Sequence, residues 1–247
     1  MTILYNDYFQ NVFMGLVELK KVKWNEKDIF NNFVTYCFKN FSQSHSQIFQ
    51  DFFVLYLTNA KNNGYFVEFG ATNGIDLSNS YLLEKKFNWN GILAEPARSW
   101  HPDLFQNRGV HIDTRCVWKE SGQTLEFNEV AVRELSTVHE YSNSDHYEEE
   151  RKQSTLYNVE TISLNDLLAT YQAPEVIDFM SIDTEGTEYL ILEAFDFKKY
   201  NVSLFTIEHN YTPNRELIFQ LMKDNNYIRI FDNISRWDDW YIRADLF

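Results

Sequence analysis

The chain has 247 residues, 44% of them hydrophobic and 17% aromatic, which suits one folded domain with a sizeable core and excludes a disordered chain. With 36 acidic against 22 basic residues the formal charge is −14, a field that repels phosphate backbones and anionic bilayers and argues against nucleic acid as a partner. Cys37 and Cys116 are too few for a disulfide framework and too far apart for a close-spaced zinc or redox pair. The opening MTILYNDYFQNVFMG carries no basic segment followed by a long apolar core, so a cytoplasmic protein without a membrane span is expected.

In chain order, residues 26–40 place Ile29, Phe30, Phe33, Tyr36 and Cys37 at helical spacing, and residues 45–60 repeat the pattern. These predict two leading helices, with residues 1–60 as a helical extension and 61–247 as the main domain. After the turn signal Asn62-Asn63-Gly64 the pattern changes to short apolar runs separated by polar helical stretches, as βα units and a parallel sheet require. The runs are 65–69, 91–95, a weaker 109–113, 176–183 and 202–208. Between the third and fourth lies an insertion, residues 119–160, whose LEFNEVAV and acidic, Ser-rich stretch predict one strand and a mobile surface loop. A helix near 214–224 and two strands, 227–231 and 240–244, complete the pattern.

The first candidate site is FVEFGATNG, residues 66–74, where an apolar strand enters a turn with Gly70 and Gly74 before a helix expected near Ser78. Glycines there let backbone approach a ligand. The dinucleotide fingerprint G-x-G-x-x-G is absent, because Ala71, Thr72 and Asn73 separate the two glycines, so a nicotinamide-dependent oxidoreductase is disfavoured. Glu95 ends the second strand about 20 residues after the turn, the offset at which a carboxylate accepts hydrogen bonds from the ribose hydroxyls of an adenosine. Glu68, inside the first strand, is a buried carboxylate in need of a partner, which a cationic or hydrogen-bonding ligand would supply.

The segment FVEFGATNGIDLSNSYLLEKKFNWNGILAEP resembles the FkbM-like branch of S-adenosylmethionine-dependent methyltransferases. SQIFQDFFVL (46–55), IDFMSIDTEGTEYLILEAFDF (177–197) and IEHN (207–210) extend the resemblance over most of residues 46–245. It implies a Rossmann-like class I α/β fold: a seven-stranded, mostly parallel sheet with its last strand antiparallel, helices on both faces and an N-terminal helical extension. It also implies a cofactor set of Gln50, Glu68, Gly70, Ala71, Asn73, Gly74, Ser78, Asn79, Glu95, Pro96, Cys116, Val117 and Asp183. Within it, methionine contacts fall near Glu68, Gly70 and Asn73, ribose on Glu95, and adenine beside Cys116 and Val117. One departure is Ala97-Arg98, where the family commonly has Asn or Asp and a further Pro.

A second constellation, Ser181 to Glu188, puts Asp183 and Glu185 at the carboxyl end of a strand, where open α/β sheets bind ligands. Glu188 reads as a first-turn acid favoured by the helix dipole. Glu208-His209-Asn210 ends the next strand. The expected catalytic set is Asp183, Glu185, Glu208 and His209. Either His209 or Glu185 takes the acceptor's proton, or Mg²⁺ or another divalent ion on Asp183 and Glu208 lowers the hydroxyl's pKa. Trp237-Asp238-Asp239-Trp240 suits carbohydrate stacking and core packing equally. The resulting expectation is an O-methyltransferase for a sugar hydroxyl, on a nucleotide sugar or surface glycan. A non-sugar small-molecule acceptor and a noncatalytic binding module are the alternatives, and a homo-oligomer is compatible with either.

Overall fold

The computed structural model describes residues 10–15, 17–18 and 28–247. They fall into two units, one ending at Phe41 and the other Ser42–Phe247. In the first, α1 (Ile29–Asn40) begins at Asp28, whose side chain accepts a hydrogen bond from Asn31 N at 3.1 Å, satisfying one free amide of the first turn. Phe33 and Cys37, four residues apart, are its buried positions. Residues 1–9 and 26–27, which include most of the opening segment and the start of the first expected helix, lie outside the described residues.

The second unit starts with α2 (Gln50–Leu57), so this helix belongs with the sheet and not with the leading extension. There follow β1 (Tyr65–Phe69), α3 (Tyr81–Phe87), β2 (Asn90–Ala94), α4 (His101–Asn107), β3 (His111–Asp113), β4 (Cys116–Trp118), β5 (Thr124–Val130), β6 (Thr137–Val138) and β7 (Ser154–Ser163). Then come α5 (Leu164–Thr170), β8 (Val176–Ile182), α6 (Glu188–Glu193), β9 (Asn201–Glu208), α7 (Asn214–Asp224), β10 (Tyr227–Ile230) and β11 (Asp238–Arg243).

The main sheet has the order β10-β11-β9-β8-β1-β2-β3. Its β1, β2, β3, β8 and β9 pair in parallel, and β11 runs antiparallel to both of its neighbours. This is the expected seven-stranded Rossmann-like sheet with a reversed last strand. Strand parity sorts the side chains. Val67, Phe69, Met180 and Ile182 join Leu167, Leu192 and Met222 from the helices in the main core. On the opposite face Phe53 of α2 packs on Trp240, ring centroids 4.9 Å apart.

The insertion is the main departure from expectation. In place of one strand and a loose loop, β4-β7-β5-β6 form a second, four-stranded sheet. Phe127, Val138 and Val159 build a small core under it with Trp100, Cys116 and Trp118. The acidic stretch is tethered: Arg151 donates to Asp145 Oδ1 at 2.6 Å and to Glu185 Oε2 at 2.7 Å. Apolar residues at every second position had to find a layer to cover, and here they cover one edge of the ligand-binding end.

That end follows from connectivity. The chain runs outward from β1 to β2 and β3, then returns to β8 on the other side of β1. Loops leaving the carboxyl ends of β1 and β8 therefore diverge and leave a crevice between them, the usual ligand position in such sheets.

Candidate active site

A pocket occupies this crevice, with walls from the loops after β1, β2, β8 and β9 and from the insertion. Gly70 follows β1 with φ of 72°, and a Cβ there would sit 2.4 Å from the carbonyl oxygen of Asp183. Only glycine lets the β1 and β8 loops approach so closely. Gly74, at φ 80°, has another purpose: its Cβ would strike Arg108 Cγ at 2.6 Å and Leu104 at 2.8 Å, and it does not line the pocket.

Glu68 finds its partners within the chain. Its oxygens accept from Asn79 N at 2.6 Å and from the hydroxyls of Ser78 and Ser80, and the buried Arg108 guanidinium lies 3.8 Å away. No cationic ligand is needed to balance it, which corrects the expectation drawn from its burial. Ser78 is committed to the same network and does not line the pocket. Asn79 does: its Nδ2 donates to Ser181 Oγ at 2.9 Å, and its buried Oδ1 meets no donor. Asn73 folds back to accept from the backbone N–H of Ile75 and Asp76, each at 2.9 Å, an Asx turn that keeps it off the pocket wall. Ala71 is packed inside and also leaves the wall free. Arg108, absent from the expected set, lies beyond the reach of any local spacing rule.

Glu95 lines the pocket with both oxygens held: Oε2 accepts from Thr72 N at 2.9 Å and Oε1 from Ala97 N at 2.8 Å. Burial pushes its carboxyl up to about 7. Pro96, Cys116 and Val117 lie alongside, and burial raises the Cys116 thiol to about 12, so it is an inert packing group. Arg98 turns away and stacks on Tyr157 at 4.0 Å. At the other end Gln50 accepts from Ile48 N and donates to Asp238, both at 2.9 Å. Trp237 stands half-buried on the wall, its indole N–H donating to Gln47 at 3.2 Å, whereas Trp240 is fully buried core. The two tryptophans of the WDDW segment thus divide between pocket and packing.

Asp183, Glu185 and Glu208 meet at the pocket floor, each offering a carboxylate oxygen within 4.8 Å of the others. Burial, reinforced by the Asp238 and Glu188 carboxylates, raises Asp183 to about 8, and burial together with repulsion from Asp183 puts Glu185 and Glu208 well above the usual carboxylate range. Glu185 sits at φ 58°, a left-handed conformation disfavoured by about 1 to 2 kcal/mol for a residue with a side chain. Arg151 and the backbone bond from Thr137 Oγ1 to Glu185 O, 3.0 Å, hold it there. Glu188 Oε1 accepts from Thr184 N, Thr184 Oγ1 and Gly186 N.

His209 does not join this group. Its Nδ1 accepts from Tyr211 N at 3.0 Å and its Nε2 faces Asp239 at 3.6 Å, away from the pocket wall. Burial opposes ionisation of Asp239, but His209, Arg215 and Arg229 outweigh it and hold that carboxyl below the usual range. The expected base is therefore a support of the β9 to β11 junction.

A ligand crevice at the switch point of a sheet in this strand order, with β11 reversed, defines a Rossmann-like α/β ligand-binding fold. A family model described as Methyltransferase FkbM domain matches residues 68–231. The chain belongs to the FkbM-domain methyltransferases. No curated protein matches the sequence. Among solved structures, precorrin-6y C5,15-methyltransferase from Geobacter metallireducens has 9% identity and a TM-score of 0.41, covering 78% of this chain and 85% of that one. The delta-N METTL16 MTase domain has 10% identity and a TM-score of 0.37, covering 90% and 97%. Likeness at these levels says nothing of substrate.

Proposed function

We propose that this methyltransferase uses S-adenosylmethionine to methylate a hydroxyl group of a saccharide, such as a nucleotide sugar or a glycan end. The observation that carries the reading is one pocket joining a fixed strand-end carboxylate, Glu95, to the acidic floor of Asp183, Glu185 and Glu208. Glu95 is assigned to the ribose, because two backbone N–H groups aim its oxygens and leave lone pairs for hydroxyl donors. Gly70 is assigned to the amino-acid end, where backbone approach is needed, and Cys116 and Val117 to adenine, as an apolar wall.

When bound, S-adenosylmethionine supplies a methyl group on a positively charged sulfur. Transfer would form the bond from acceptor oxygen to methyl carbon as the carbon–sulfur bond breaks, with a neutral thioether as leaving group, and the pocket's part is to align the two. A floor carboxylate in its ionised form would take the hydroxyl proton, and a divalent ion held by Asp183 and Glu208 would supply a lowered hydroxyl pKa. Raised carboxyl affinities for protons suit that task near neutral pH. Trp237 beside carboxylates supports a sugar acceptor, since a sugar's CH face stacks on a ring while its hydroxyls donate to acids. A cytoplasmic location fits a chain with only two cysteines, both buried, and the lack, among the described residues, of a helix long and apolar enough to cross a membrane.

Titration calorimetry with S-adenosylmethionine and S-adenosylhomocysteine, with NAD as control, tests the cofactor. Micromolar binding of the first two and none of NAD is expected, with Glu95→Gln at least tenfold weaker. Absence of binding to both would sink the reading. Methyl transfer from the labelled cofactor to free sugars and nucleotide sugars then tests the acceptor class.

A further inference from the structure

We infer that Asp183, Glu185 and Glu208 form a binding site for a hard, oxygen-preferring divalent cation of the Mg²⁺ or Mn²⁺ kind. Their carboxylate oxygens lie within 4.8 Å of one another at the pocket floor. Opposite oxygens of one coordination shell stand about 4 Å apart around Mg²⁺ and about 5 Å around Ca²⁺, so one small ion spans the set after a slight closure.

An acidic cluster alone would not establish this, and the distribution of hydrogen bonds supplies the second observation. Glu208 lines the pocket and is 7% exposed, and its buried Oε2 has no hydrogen-bond partner. A carboxylate oxygen stripped of water and given no donor is strongly disfavoured unless a ligand completes it. In the same sheet Glu68 shows the contrary case: at 2% exposure, both of its oxygens receive protein donors. The chain saturates the acid it uses for structure and leaves the floor acid open.

Charge points the same way. Among the described residues the cation beside these carboxylates is Arg151, whose guanidinium donates to Glu185 Oε2 at 2.7 Å and is shared with Asp145. Four acids thus share one guanidinium, and a bound divalent ion offsets the excess of acidic groups. Asn210 Nδ2, 3.3 Å from Glu185 Oε2, is the other neighbouring donor, and it carries no charge. The donors are all oxygens, which selects Mg²⁺, Mn²⁺ or Ca²⁺ over zinc or copper. Arg151 anchors Glu185 from the insertion and so acts as a positioning residue. The catalytic role of the ion, lowering the pKa of an acceptor hydroxyl that shares it, rests on the methyltransferase reading; the site itself does not.

The test uses the full chain freed of metal by chelation, with Mn²⁺ as the probe, read by electron paramagnetic resonance and calorimetry without cofactor. One Mn²⁺ per chain is expected, displaced by excess Mg²⁺. Glu208→Gln should bind at least tenfold more weakly, while the exposed Glu126→Gln binds as the wild type does. Asp183→Asn is the second variant, expected to weaken Mn²⁺ likewise if Glu208→Gln fails to fold. No Mn²⁺ binding at millimolar concentration, or wild-type affinity in a folded floor variant, overturns the site. S-Adenosylhomocysteine titrated into the same metal-free sample reports separately on the methyltransferase reading: its binding without Mn²⁺ binding removes the ion alone, and the converse removes the cofactor alone.

Discussion

Glu68 and Glu208 are both buried carboxylates at the carboxyl edge of the central sheet, and they stand in opposite surroundings. Glu68 is enclosed by Ser78, Asn79 N, Ser80 and Arg108, so every oxygen has a donor and a cation stands behind it. Glu208 has an oxygen with no partner and two further acids for neighbours. Both are buried, at 2% and 7% exposure; what differs is whether the chain itself completes the hydrogen bonds. A buried acid of the first kind holds the fold, and one of the second kind keeps free energy in reserve for a ligand.

Removing the cation from the first set has the largest expected effect. Arg108 also donates to Glu84 Oε2 at 2.5 Å and to Gly74 O at 3.1 Å, and its side chain is wholly buried. Arg108→Met strands two carboxylates and a carbonyl and should lower unfolding free energy by about 3 to 5 kcal/mol in urea melts. A loss under 1 kcal/mol would show that this network is not structural. Glu68→Gln, which keeps the volume but gives up the charge-assisted bonds, should lose about 1.5 to 3 kcal/mol by the same measurement.

The strands were legible because each βα unit writes its apolar run plainly, and the Gly70 turn followed by Glu95 marked the crevice. Arg108 escaped because its partners, Glu68 and Glu84, lie 40 and 24 positions back, where only the three-dimensional fold brings them together. The insertion was misread for a related reason: β5 pairs with β7 across an intervening 3₁₀ and acidic stretch, so no tight hairpin turn announces the register. His209 looked suitable from its place after β9, yet adjacent residues at a strand end face opposite sides, and Glu208 already takes the pocket side. Parity, applied to Glu208-His209, was the available signal.

Glu95 lies between the two kinds of acid, since it has two backbone donors but no cation, and pH separates its two roles. Its carboxyl shifts from 4.5 to about 7 on burial. The folded state therefore holds the proton more tightly than the unfolded chain. Glu95 contributes stability that is complete below about pH 4.5 and lost as pH rises through about 7. Ligand binding has the opposite sign, because ribose hydroxyls donate to the ionised form. Affinity for S-adenosylhomocysteine should rise about tenfold from pH 6 to pH 8, with the melting temperature of the free protein falling over the same interval. Glu95→Gln should flatten both trends; a wild-type affinity that stays level with pH would detach Glu95 from the ribose.

The smallest expected effect on stability is also the one of unusual sign. Glu208→Gln makes the same chemical change as Glu68→Gln, at a similar burial, but removes a like charge from a set of three and offers an amide N–H to Asp183 or Glu185. In the chelated protein the unfolding free energy should hold or rise by up to about 1 kcal/mol, because relieved repulsion outweighs the loss of an oxygen that had no donor. Excess Mg²⁺ should reverse the order: it binds the folded wild type and not the unfolded chain, raising wild-type stability by mass action while leaving the variant nearly unmoved. Urea melts of both proteins with and without Mg²⁺ read this directly. A loss in the chelated variant as large as that of Glu68→Gln would mean that Glu208, like Glu68, is held by the fold for its own sake.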